Sequence, residues 1–116
     1  MRYLLTSNVD PDLLSALGPE EVEAVMDRFI AFTTALASSG VLRSAEQLLP
    51  PDTATTVRRR AGDLLLTDGP FADVTETLGG YWVVEAPDLE TVLDHARACP
   101  AVDVGSVEVR GLVELG

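Results

Sequence analysis

Between Pro19 and Gly40, apolar and small side chains return at the spacing of one helical face: Val22, Val25, Met26, Phe29, Ile30, Thr33, Leu36 and Ala37. Pro19 suits a first helical turn, Glu20, Glu21 and Glu23 complement the positive end of the helix dipole, and Gly40 is a natural stop. A helix over about residues 19–39, apolar along one stripe, must dock on something flat. The rest of the chain has to supply that surface.

It does so with short β-type segments. Residues 2–8, RYLLTSN, read as a first strand ended by Asp10-Pro11. VLRSAEQLL after Gly40 is a second, ended by Pro50-Pro51. Residues 54–68 read as a hairpin, with ATTVRRR and DLLLTD joined by a tight turn at Ala61-Gly62-Asp63. Residues 69–78 read as a loop with a helical turn, and Gly79-Gly80 then releases the chain into the strand YWVVEA. Asp88 caps a second helix with Leu89, Val92, Leu93 and Ala96 inward, ended by Pro100. The last strand alternates from Ser106 to Leu115, with Val107, Val109 and Val113 on one side and Ser106, Glu108, Arg110 and Glu114 on the other.

These elements predict one α+β domain over residues 1–116: a ferredoxin-like antiparallel sheet with two helices on one face and an added strand after the first helix. The other sheet face mixes aromatic, valine and charged positions, which suits packing against a second sheet. A homodimer with twofold symmetry supplies one, giving a dimeric α/β barrel.

Composition narrows the function. Nineteen acids against eight arginines and no lysine give a net charge of -11, a field that repels nucleic acid. Arg58-Arg59-Arg60 is the one basic run, and strand alternation divides it between two faces. The single cysteine, Cys99, excludes an internal disulfide and leaves no Cys/His spacing for zinc, so no metal is expected and a cytoplasmic location is. No window has the ~18 apolar residues of a membrane span, nor the long apolar run of a signal peptide. High Ala, Arg and Val without Lys looks like the translation of a GC-rich genome.

Five segments in order carry a resemblance: the strand at 2–8, LLPPDTATTVR at 48–58, DGPF at 68–71, LGGYW at 78–82 and GSVEVR at 105–110. Together they resemble the DGPF branch of the YciI-related (YCII) proteins along nearly the whole chain. The resemblance implies a ferredoxin-like dimer with a cleft between sheet and partner. Members similar to dehydrochlorinases use a His and Asp pair in that cleft; here the only histidine, His95, falls in the second helix, which departs from that pattern. Some DGPF proteins are similar to ones encoded beside, or fused to, extracytoplasmic-function sigma factors.

Asp68 is the candidate acid: a carboxylate at the rim of the cleft, either a proton acceptor or a side chain that bonds the N–H groups of its own turn. Glu108 and Arg110 share a strand face, and Arg110 offers a planar fork for an anionic group or an ion pair with a neighbouring strand. Arg58 and Tyr81 complete the substrate-binding candidates. Tyr81 and Trp82 point to opposite faces, one into the core and the other a wall for a ligand. Phe71 reads as a plug that pins the DGPF loop, Glu46 as a half-exposed strand residue near the cleft, His95 as solvent-facing and Cys99 as a small buried hydrophobe.

Two functions fit. One is a dimer that binds an unidentified small molecule, without a cofactor, and carries out an acid–base step of the lyase or isomerase type, with Asp68 accepting the proton and Arg110 anchoring the substrate. The other is a non-catalytic accessory or regulatory protein that binds a partner such as a sigma factor through its acidic surface.

Overall fold

The computed structural model describes residues 1–70 and 75–114. Four strands, β1 (Arg2–Val9), β2 (Leu42–Gln47), β5 (Thr77–Glu85) and β6 (Gly105–Gly111), form one sheet in the order β2-β5-β1-β6, with every neighbour antiparallel. Helices α2 (Pro19–Ser38) and α3 (Leu89–Arg97) cover one face. This is the ferredoxin-like α+β arrangement that the sequence predicts.

The added strand is a different object. β3 (Thr55–Arg60) and β4 (Asp63–Asp68) pair only with each other, so a complete hairpin is inserted between β2 and β5 and stands outside the main sheet. Ala61 and Gly62 close it with φ of 51° and 85°, the two positive angles of a type I′ hairpin turn. Two short helices were not visible as patterns. In α1 (Pro11–Ser15), Asp10 Oδ1 accepts from the Asp12 N–H at 2.9 Å, and α4 (Ala101–Val104) carries the chain into β6.

The core lies between the helices and the sheet. Tyr3 and Leu5 of β1, Trp82 and Val84 of β5, Phe32 and Leu36 of α2, and Val92 of α3 meet there, with Val107 and Val109 of β6 against them. The α2 stripe differs from the sequence reading: Phe32 is buried, whereas Met26 and Ile30 stand outside the packed line. The β6 strand stops at Gly111, leaving Val113 exposed past its end, and Leu115 lies outside the described residues. Gly79-Gly80 is inside β5, not ahead of it. Ser7 pairs with Gly80 and Asn8 with Leu78, so Gly79 is the extra residue of a β-bulge. At Gly80 a Cβ would come within 2.9 Å of the Glu46 carbonyl, which is why the residue there is glycine.

Candidate functional site

Two concavities flank the same end of the sheet, one on each face. On the helix side a cavity of about 640 Å³ opens beneath the middle of α2, within the range of small-molecule sites. The Gly79-Gly80 backbone and Ser7 form its floor, Met26, Phe29 and Ile30 its helical wall, and Leu48 to Pro51 its far rim. Ser7 is buried, and the other polar side chains around the cavity include Thr33, Thr34, Gln47 and Thr77. Glu46 is the one carboxylate among its lining residues, which hold no histidine, arginine or cysteine.

Trp82 forms the inner wall and is held from three directions. Its Nε1–H donates to Thr33 Oγ1 at 2.9 Å, and the Thr33 hydroxyl donates to the Phe29 carbonyl at 3.1 Å. The Phe29 ring lies parallel to the indole with centroids 6.2 Å apart, and the Phe32 ring stands edge-on at 5.1 Å. Trp82 therefore faces the helices and Tyr81 the opposite side, which decides between the two aromatic residues.

On the sheet side, a cleft of about 1080 Å³ separates the base of the β3–β4 hairpin from the sheet. Asn8, Leu78 and Glu108 line it from the sheet, and Thr55, Thr56 and Val57 from the hairpin. Tyr81 pairs with Thr6 and Glu46, Glu108 with Thr6, and Arg110 with Leu4, so these four polar or aromatic candidates share the open sheet face. Arg110 donates to Glu108 Oε1 at 2.8 Å along the same strand, rather than to Glu85 on another. Both side chains are more than half exposed, and such a pair contributes little. Glu85 instead accepts from the Met1 ammonium at 2.8 Å, which holds its carboxyl below the usual range.

Arg58 lies on the hairpin, opposite Leu65. Asp68 is the last residue of β4, opposite Thr55, and its carboxylate bonds none of the described residues. The turn after it is held by β3 and the residue before that strand: the Gly69 N–H donates to the Ala54 carbonyl at 2.7 Å, and the Thr56 hydroxyl donates to the Gly69 carbonyl at 2.8 Å. Gly69 takes φ +97°, a left-handed angle that suits glycine. Phe71 lies outside the described residues.

His95 is half-buried on α3, on the helix face, and lines neither concavity. Cys99 is fully buried, and desolvation raises its thiol above the ordinary value, so it packs as a hydrophobe. Among the described residues no group of three metal-ligating side chains occurs, and no helix is long and apolar enough to cross a membrane. Sequence reasoning missed the helix-side cavity. Its one available signal was the pair of consecutive glycines, which read as a strand start and not as a bare patch of backbone inside one.

A family model described as the YCII-related domain matches residues 1–115. The chain belongs to the YCII-related family. A second member, an uncharacterized protein of Rhizobium meliloti (strain 1021), is 34% identical over 114 residues, covering 97% of this chain and 92% of that protein. Among solved structures, the 5-chloro-2-hydroxyhydroquinone dehydrochlorinase of Burkholderia phenoliruptrix AC1100, in complex with 2,5-dihydroxybenzoquinone, superposes with a TM-score of 0.56 at 14% identity, covering 97% of this chain and 94% of that one. That likeness carries the fold of this YCII-related chain and not its chemistry.

Proposed function

We propose that this YCII-related protein, of the DGPF branch by its Asp68-Gly69-Pro70-Phe71 tetrad, is a cytoplasmic homodimer that binds a small, flat and largely apolar molecule. The helix-side cavity carries the reading. It has the volume of a ligand site, apolar walls, a clamped indole on one side and hydroxyls on the floor and helix. The dehydrochlorinase of the same fold holds a dihydroxybenzoquinone, a ring of the class such a cavity suits. Two open sheet faces meeting about a twofold axis would cover Leu4, Tyr81 and Val83, which are only half-buried in one chain.

The sheet-side cleft supports a second reading, acid–base chemistry of the lyase or isomerase type. Of the five candidates Glu108 alone lines that cleft, Arg110 and Tyr81 share its sheet face, and Asp68 and Arg58 sit on the hairpin; in this reading Asp68 would accept the proton and the other four would bind the substrate. The two readings separate by titration with 2,5-dihydroxybenzoquinone. Trp82 is the sole tryptophan, so binding at its wall should quench its fluorescence to saturation. Ile30→Arg at the cavity mouth should abolish the saturable phase, whereas Asp68→Asn should leave it intact. Quenching that is linear in quinone, or unaffected by Ile30→Arg, removes the helix-side site. Native mass spectrometry of protein taken from its own host would report the dimer and any retained molecule in one spectrum.

A further inference from the structure

A two-stranded ribbon is at best marginally stable in water on its own. The β3–β4 hairpin is such a ribbon, and it projects. The Cα radius of gyration is 16.1 Å, against about 13 Å for a compact domain of similar length, and the molecule measures 48 × 47 × 18 Å. Strand register places Val57, Leu64 and Leu66 together on one face of the hairpin, and they are 58%, 59% and 70% exposed. Apolar side chains that exposed, on an arm that packs chiefly on itself, need a cover.

Charge identifies the cover. The hairpin carries three of the eight arginines but only two of the nineteen acids, so it is the basic part of a chain whose net charge is -11. Arg59 lies opposite Leu64, on the same face as the leucines, and donates to the Gly62 carbonyl at 3.0 Å; among the described residues it meets no carboxylate. The acidic body of this same chain offers carboxylates on its open sheet face, where Glu46 on the edge strand β2 has no ion pair among the described residues. A basic, apolar arm and an acidic sheet on one polypeptide are complementary between two copies.

We propose that the β3–β4 hairpin is an exchanged arm: each copy lays its Val57, Leu64 and Leu66 face, with Arg59, over the open sheet face of a second copy beside Glu46. The inference rests on the dimer proposed above and deepens it, because the sheet-side cleft is then completed by residues from both copies. The arm's attachment fits this geometry. The cleft at its base already lies on the open side of the sheet, against Asn8 and Glu108.

The test is sedimentation velocity over a concentration series for the wild type, L64D/L66D and R59E, with Trp82 emission as the check on the folded body. The arm requires a wild-type dimer, an association at least about 100-fold weaker in L64D/L66D, and one about 10-fold weaker in R59E at low salt that converges on the wild type as salt rises. Adding E46R to R59E should restore part of the loss. A wild-type dimer that both variants match overturns the arm and leaves the sheet-to-sheet dimer standing. A wild type that stays monomeric overturns both. If L64D/L66D alters Trp82 emission, R59E and its rescue decide alone: weakening with rescue supports the arm, and wild-type association refutes it.

Discussion

Thr33→Val removes one oxygen and keeps the shape of the side chain. In the native protein that oxygen accepts from Trp82 Nε1–H at 2.9 Å and donates to the Phe29 carbonyl at 3.1 Å. The indole is 5% exposed, so the substitution leaves a buried donor without its partner. Leaving such a group unsatisfied costs about 1 to 3 kcal/mol. Trp82 borders the helix-side cavity, and a water entering it would bring the cost to the lower end of that range. At about 4 °C per kcal/mol for a domain of this size, the melting temperature should fall by roughly 4 to 12 °C. Urea unfolding followed by Trp82 fluorescence measures the loss directly. Thr33→Ser is the control, because it keeps the hydroxyl and gives up one methyl, worth about 1 kcal/mol or less on a half-buried residue. If Thr33→Val proves at least as stable as Thr33→Ser, the hydrogen bond does not hold the indole and the account of the clamped wall is wrong.

The bulge glycines should behave unequally. Gly80→Ala forces its Cβ against the Glu46 carbonyl and should destabilise by about 2 to 3 kcal/mol, while Gly79→Ala makes ordinary contacts with Val9 Cγ2 at 3.6 Å and the Ser7 carbonyl at 3.8 Å and should stay within about 1 kcal/mol, both by chemical denaturation. Ala61→Asn should stabilise the protein by up to about 1 kcal/mol, because asparagine tolerates the positive φ of a type I′ turn better than alanine does. Asp88 accepts from the Thr91 N–H at 2.9 Å and from its hydroxyl, and these bonds depress its carboxyl below 3.8. A depressed carboxylate stabilises above its unfolded value and loses that contribution as pH falls through its folded one. Asp88→Ala should therefore lower the melting temperature at pH 7, with the gap to wild type closing as pH falls through the lowered carboxyl's own titration.

The sequence revealed elements wherever one local rule dominated. Pro19, the acids after it and Gly40 bounded α2 within a residue, and Asp88 marked the start of α3, because caps and dipoles act over one turn. It revealed that Glu108 and Arg110 share one strand face, since that follows from alternation alone. Tertiary facts were not legible. Whether DLLLTD joins the main sheet or stands apart depends on strand partners, and an exposed leucine run looks the same in sequence as a buried one. Met26 and Ile30 fit the helical period, yet they edge a cavity instead of meeting a neighbour. Trp82 and Tyr81 were an undecided pair until the Thr33 hydroxyl and the two phenylalanine rings placed the indole.

Where a proton could be moved decides how the two concavities relate to function. Histidine, arginine and cysteine are all missing from the helix-side lining, and the side chain of its one carboxylate, Glu46, pairs across the sheet with Tyr81 on the other face. A ligand seated against Trp82 is thus bound by shape and hydroxyls, with no acid or base reaching it from the described residues. On the acid–base reading, proton transfer would belong on the sheet side, where Glu108, Arg110 and the end of β4 lie. Two substitutions on opposite faces turn this into a double dissociation. Ile30→Arg should remove saturable quenching of Trp82 and leave any lyase or isomerase turnover untouched; Asp68→Asn should abolish that turnover, keep the quenching and leave the fold intact. Turnover lost with Ile30→Arg but kept with Asp68→Asn would move the chemistry to the helix side and refute this division of labour.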